Sequence, residues 1–470
     1  VYKIVSNLAV VWLAIFTWNQ AFADRYVVPP GTPGVSPDGV YANWATAATN
    51  IQWAVNVAVV GETVWVTNGT YVLTNTAAVT ADIEIIKEIT VQSLKGAEAT
   101  VLDGNDTTNL RCVLLNHVGA VLDGFTVTRG LYTEYAGVYL SRGTVRNCII
   151  ANNTATNPAA AGGGIGMIGL SGITDPLVLL SNSRVISNKC TGTGNTYGGG
   201  IRLYGNGSIS NCIITHNSAK YGGGVHPDGK GPIPAGKIGR IMIVNSVIAS
   251  NSASSLGGGI YFSHTNIALN SCTINGNSAN NGGGGYFANT LPYNIIQNSL
   301  ICNNYATNDA GGIFSAYGNY IRNCTIVSNS CGGSGGGLEL LSASTGTNIV
   351  ENTIIYYNTS GTTVSNIYNF QGIGFVDCYY TNCCVASTNA IQAGGMGPNN
   401  IESAPRFVSR AGGDFRLANT SPCINSGINR SWMDNSVLDL DNHARIDKFS
   451  GIVDMGCYEY LPQGVIFMAH

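Results

Sequence analysis

SCTINGNSANNGGGGYF, Ser271–Phe287, decides between a linker and a regular element. Its Asn and Gly content speaks for a loop, while Ile274, Tyr286 and Phe287 speak against one. Related stretches elsewhere in the chain settle the matter. The pattern Asn-(Cys/Ser/Thr)-x-(Ile/Val)-x-x-Asn recurs as NCIIANN, NSRVISN, NCIITHN, NSVIASN, SCTINGN, NSLICNN, NCTIVSN and NTIIYYN. These copies start at Asn147, Asn182, Asn211, Asn245, Ser271, Asn298, Asn323 and Asn352, at steps of 25 to 35 residues. Most run on into a glycine cluster such as Gly198–Gly200, Gly257–Gly259 or Gly282–Gly285. A period of this length without helical spacing marks a β-solenoid, with one coil per repeat.

The columns of the repeat say what each position is for. The closing Asn is present in every copy: Asn153, Asn188, Asn217, Asn251, Asn277, Asn304, Asn329 and Asn358. Stacked coils place these amides ~4.8 Å apart, close enough to hydrogen-bond as a ladder. Asn also tolerates the left-handed backbone needed where a strand turns. The fourth position is always Ile or Val, from Ile150 to Ile355, and predicts a β-branched core column. The second position alternates Cys148, Ser183, Cys212, Ser246, Cys272, Ser299, Cys324, Thr353. Those cysteines stand two coils apart, ~9.6 Å, too far for disulfides, and are predicted to be buried thiols in a slot for small side chains. Cys378, Cys383, Cys384, Cys423 and Cys457 fall outside the repeat core and are open to pairing. Cys383–Cys384 lacks the ligand spacing of a metal site.

Composition agrees with a packed chain. Among 470 residues there are 61 Gly, yet 44% are hydrophobic, only 10% are charged, and 23 are Tyr. A net charge of −3 with no basic run excludes nucleic acid as a natural partner. Residues 1–23 read as a signal peptide: Lys3, an apolar run Leu8–Phe16, and small residues at Ala21–Ala23. The chain from Asp24 is thus expected to be secreted. Ala45–Gly61 predicts an amphipathic helix with Ile51, Val55 and Val59 on one face, placed to cap the first coil. The expected architecture is all-β, a parallel β-helix of about eleven coils by the strand spacing. It spans residues 24–385 with its N-terminal cap, and a C-terminal segment, 386–470, follows.

The chain resembles the right-handed parallel β-helices of the pectin-lyase-like superfamily, and its Asn-rich cores followed by GGGI resemble the repeats of polymorphic outer-membrane proteins. The tail SPCINSGINRSWMDNSVLDLDNHARIDKFSGIVDMGCYEY, Ser421–Tyr460, is similar to the choice-of-anchor segment of secreted bacterial proteins. The resemblance implies export and membrane association only through an anchor, none of which is identifiable in LPQGVIFMAH. It does not fix function, because the fold serves lyases, hydrolases and adhesins alike.

Chemistry can sit on the strand that follows each glycine cluster. Alternation turns Gly166, Arg202, His226, Tyr261, Tyr286, Phe314 and Glu339 outward, with Tyr204 and Asp228 two residues further on. Arg202, Tyr204, His226, Asp228, Tyr261 and Tyr286 form a candidate saccharide-binding face; an ordinary aromatic strand face is the bland alternative. The loop in Val225–Arg240 adds Lys230, Lys237 and Arg240. Any of these three suits the base of a lyase acting on a uronate polymer, and lyases of the resembled superfamily pair such a base with acid-bound calcium. Only Asp228 is acidic there, and no two carboxylates stand at hydrolase spacing. In the C-terminal segment Asp434, Asp439, Asp441, Asp447, Asp454 and Glu459 cluster, with Asp439 and Asp441 as candidate Ca²⁺ ligands; pairing with Arg430, Arg445 or Lys448 is the alternative. The third motif position (Ile149, Arg184, Ile213, Val247, Thr273, Leu300, Thr325, Ile354) faces out yet is rather apolar, which predicts a partner or self-association. The leading expectation is a cell-surface β-helix that binds polysaccharide or cell-surface glycans without turnover. The alternatives are a polysaccharide lyase and a structural spacer.

Overall fold

The computed structural model describes residues 24–74, 81–169, 178–228, 241–262, 267–288, 294–316, 318–341, 347–370, 378–386, 397–433, 437–446 and 450–462. The expected signal peptide, residues 1–23, lies outside them. The described strands form a right-handed parallel β-helix, the hand that parallel crossovers take. Each regular coil has four short strands. One coil runs through Ile201–Tyr204, Gly207–Ser210, Ile213–Thr215 and Ser218–Tyr221 before the next glycine turn. Their stacks make parallel sheets of 22, 12 and 10 strands, the first covering two faces of the coil; only an antiparallel pair at the end of the third departs from parallel pairing. The twelve strands of the motif sheet correspond to one coil more than the expected eleven.

Register confirms the sequence alignment residue by residue. Ile214 pairs with Ile248, Ile248 with Ile274, Ile274 with Ile301 and Ile301 with Ile326, all wholly buried. The Asn ladder is continuous. Nδ2 of Asn251 donates to Oδ1 of Asn277 at 3.0 Å, and Asn277 repeats this to Asn304 at 3.0 Å. The same Oδ1 also accepts the backbone N–H of the preceding ladder residue, at 2.9 Å for Asn251. The ladder runs from Asn153 to Asn358 and ends on Asn366. A buried Asn is tolerable only when its amide is satisfied on both sides, as here.

The left-handed turns fall elsewhere than on the ladder Asn, correcting the sequence expectation. They lie on the first motif residue (Ser271, φ 53°; Asn298, φ 51°) and one residue before the ladder (Gly276, φ 63°; Asn303, φ 55°). The glycine run has a different origin at each place. Gly282 takes φ +65°. At Gly283 a Cβ would meet the Gly311 carbonyl of the next coil at 2.6 Å, and at Gly284 it would meet the Asn304 amide at 2.9 Å. The run thus turns the chain and lets neighbouring backbones and the ladder close up.

The second-position slot holds small side chains for a reason beyond volume. Cys272 N–H donates to Ser299 Oγ at 3.1 Å, and Ser299 Oγ–H donates to the Gln297 carbonyl at 2.7 Å. The same hydroxyl service reaches Cys148, Cys212 and Cys324. Burial pushes the Cys272 thiol up to about 12, so it is inert. Cys383 belongs to this column after all: Asn382 opens a ninth, unclosed motif, with Cys383 in its second position and Cys384 and Val385 paired with Ile354 and Ile355.

At the N-terminal end the helix is shorter than predicted, Ile51–Val57, capped by Asn50, whose Oδ1 accepts Trp53 N–H at 3.3 Å. It buries Ile51, Ala54 and Val55 against the first coils, while Val59 lies beyond its end and is exposed. No described helix is long and apolar enough to cross a membrane.

The C-terminal segment folds back over the motif sheet. Its hairpin, Phe407–Ser409 with Asp414–Leu417, and its Cys423, Met455 and Cys457 pack on Leu300, Cys302, Val327, Ile354 and Cys384. The outward third column is therefore divided. Ile213 and Val247 are 44% and 38% exposed, whereas Leu300, Thr325 and Ile354 are 6%, 1% and 0% exposed. Arg445, fully buried, fastens the cover: it donates to the Gly456 carbonyl at 2.9 Å and pairs with Glu459 at 3.1 Å. With the Asn323 amide oxygen turned toward it, its Nε donates there at 3.1 Å.

Candidate functional site

Coil stacking brings Arg202, His226 and Asp228 together, in registers that pair Arg202 with His226 and Tyr204 with Asp228. Arg202 donates to Asp228 Oδ2 at 2.7 Å, contacts the His226 ring nitrogens, and lies 5.1 Å from the Tyr197 ring centroid. The His226 ring is buried between Tyr197 and Tyr261, with centroids at 4.8 and 4.9 Å. The stack continues through Tyr261–Tyr286 at 5.9 Å to Tyr286–Phe314 at 4.3 Å. Burial pushes the Tyr261 hydroxyl up to about 12. This face differs from an open aromatic platform. Its rings stack on one another and offer mainly edges and hydroxyls, and its cation already has an anion. Tyr204 is the exposed member. The proposed lyase bases Lys230, Lys237 and Arg240 lie outside the described residues.

Glu339, further along the same column, sits between Phe314 and Tyr368. It is nearly buried, and its Oε2 has no hydrogen-bond partner. Burial, reinforced by the charge of Asp309, holds its carboxyl up at about 7.

Asp439 and Asp441, the candidate Ca²⁺ ligands, stand two residues apart in one turn. Asp439 is buried and its oxygens are engaged by N–H donors: Oδ1 accepts from Asp441 at 2.9 Å and His443 at 2.7 Å, Oδ2 from Glu459 at 2.8 Å. Donors so placed stabilise the carboxylate in a turn and turn positive charge toward where a cation would sit. Asp441 is held above the ordinary carboxylate range by burial and by Asp439. Asp454 likewise accepts backbone N–H from Asn425 and Tyr460, both at 2.6 Å. Among the described residues no three His, Cys, Asp or Glu side chains gather as a metal site. Asp434 and Asp447 lie outside those residues.

A concave site that the sequence reading missed lies where the cover meets the uncovered motif sheet. This groove, of about 670 Å³, has Asn211, Asn245, Asn270, Ser271 and Gln297 on the coil side, with Val247 and Thr273. Leu438, Leu440, Asn442 and Tyr458 form the opposite wall. The coil-side amides are ordered before any ligand arrives. Asn270 Oδ1 accepts from Gln297 at 3.2 Å and from Asn298 at 3.0 Å, and Asn211 donates to Asn182 at 3.1 Å. The lining has no Lys or Arg, and its one acid, Asp439, is saturated. Two sequence signals converge here: the apolar third column and the Asn residues of the first. Neither shows by itself that a distant segment forms the other wall.

No protein family description and no curated protein matches the chain. Among solved structures it is similar to the crystal structure of pectate lyase Pel9A, at 15% identity and a TM-score of 0.43, over 93% of this chain and 97% of that one.

Proposed function

We propose that this protein is an exported, surface-associated β-helix that holds a neutral stretch of polysaccharide or cell-surface glycan without cleaving it. The observation that carries this reading is the groove's lining of amides and hydroxyls with no free charge. Amides donate and accept side by side, as vicinal sugar hydroxyls require, and the Tyr458 ring and Leu438 offer apolar surface for C–H faces. A uronate or sulfated chain would need cations that the groove lacks. Calorimetric titration with neutral oligosaccharides, against uronate oligomers of equal length, tests it. The expected result is binding of the neutral set alone, weakened about five- to tenfold in N245A, which removes about 1 kcal/mol of hydrogen bonding. Absence of binding to any saccharide would leave the spacer reading in its place. Unsaturated product released from a uronate polymer, followed by absorbance and lost in K230A or K237A, would establish the lyase instead.

A further inference from the structure

All thirteen cysteines are buried free thiols. The coil stack isolates the five of the motif column, Cys148, Cys212, Cys272, Cys324 and Cys383, each separated from the next by a Ser or Thr slot. Cys384 and Cys423 are placed differently. Cys384 stands on the outer stripe one coil beyond Ile354, and Cys423 comes down onto it from the covering segment. The two share one apolar cluster with Ile354, Leu417 and Met455, where the neighbouring Cys423 thiol and burial together push the Cys384 thiol up.

Both backbones are fixed. Cys384 N–H donates to the Thr353 carbonyl at 3.0 Å, and its thiol reaches the Ser403 carbonyl at 3.2 Å. Cys423 N–H donates to Ser421 Oγ at 3.2 Å, and its carbonyl accepts Met455 N–H at 3.1 Å. Two cysteines held by fixed backbones inside one cluster meet the first requirement for a bond of about 2.05 Å between their sulfurs. Cys383, the neighbour in sequence, points the other way into the coil core.

We propose that Cys384 and Cys423 are a disulfide-forming pair, a covalent staple between the last described motif strand and the segment that covers the sheet. Oxidation joins the two Sγ atoms and releases two protons. The two electrons pass to an external disulfide such as glutathione disulfide, which leaves as two thiols. The bond would close a long loop and hold the cover, and with it the far wall of the groove, against the coils.

The test uses the full chain folded in a glutathione redox buffer, alkylated, and digested without reduction. Mass spectrometry is expected to find a reductant-sensitive peptide pair joining Cys384 to Cys423, with fragmentation or the C383S variant excluding Cys383. Alkylation in denaturant is expected to label two thiols fewer than the thirteen in the sequence. C423S is expected to abolish the pair and restore the label at Cys384. Thirteen labelled thiols in wild-type protein, or Cys423 linked to any other cysteine, would overturn the proposal. Because the wild-type digest decides, a variant that failed to fold would not obscure the answer.

Discussion

The third residue of the motif presents the same chemistry at two levels of the stack with opposite outcomes. Ile213 and Val247 face solvent, while Leu300 and Ile354, in equivalent registers, are as buried as the core. Nothing local distinguishes them: the fourth-position core column and the Asn ladder are the same at both levels. The difference is imposed from outside the repeat, by a segment much further along the chain: Phe415 and Cys457 over Leu300, and Leu417, Cys423 and Met455 over Ile354. An apolar stripe on a solenoid is therefore not by itself a sign of a second molecule. Here part of it is satisfied within the chain, and the expectation of self-association now rests on the uncovered part around Ile213 and Val247 alone.

The sharpest way to break this contrast is to release the cover. R445A leaves Glu459 buried without its cation and removes the donors to Gly456. It should cost about 3–5 kcal/mol in urea unfolding and expose the C-terminal segment to protease first. Next comes the stripe itself. I354A should cost about 2–4 kcal/mol, whereas I213A should stay within about 0.5 kcal/mol. Equal costs would mean that the cover does not bury the stripe in solution. The ladder provides a control that ought to ignore the contrast. N217A and N329A each strand a backbone N–H and a carbonyl, and each should cost about 1–3 kcal/mol, alike at both levels.

The smallest expected effect concerns Glu339, which lies at the covered level but on a different strand face. Its carboxyl is raised in the folded chain from the ordinary 4.5 to about 7, so the unfolded chain loses the proton first. Stability should fall as pH rises between those values and level off above about 7. E339Q should flatten that window and, with allowance for partial solvent access, stabilise the protein by about 1 kcal/mol at pH 8. An unchanged pH profile would place the titrating group elsewhere.

Much of the fold was readable because the repeat states its own register. Ladder, core column and small slot each occupy a fixed position, and stacking identical coils leaves little freedom in how they align. The misreadings have local physical causes. The left-handed turns moved off the ladder Asn because its side chain and backbone N–H are already committed to neighbouring coils. Cys383 escaped the repeat because its motif lacks a closing Asn. Arg202, His226 and Asp228 were rightly brought to one face, but spacing does not tell whether charges aimed at one face serve a ligand or each other. Asp439 drew attention as an acid, and only the fold reveals the backbone N–H groups around it.

The sequence by itself determined the coil: its period, its inward column, its Asn ladder and its thiol slots, because these depend on contacts between equivalent positions one strand spacing apart. Tertiary structure alone decided where the C-terminal segment lies, which part of the apolar stripe is covered, that Cys384 and Cys423 share one cluster, and that a groove of amides forms along the boundary. Those contacts join residues with no shared period. Side-chain packing and the burial of Arg445 fix them, and no spacing within the repeat encodes either.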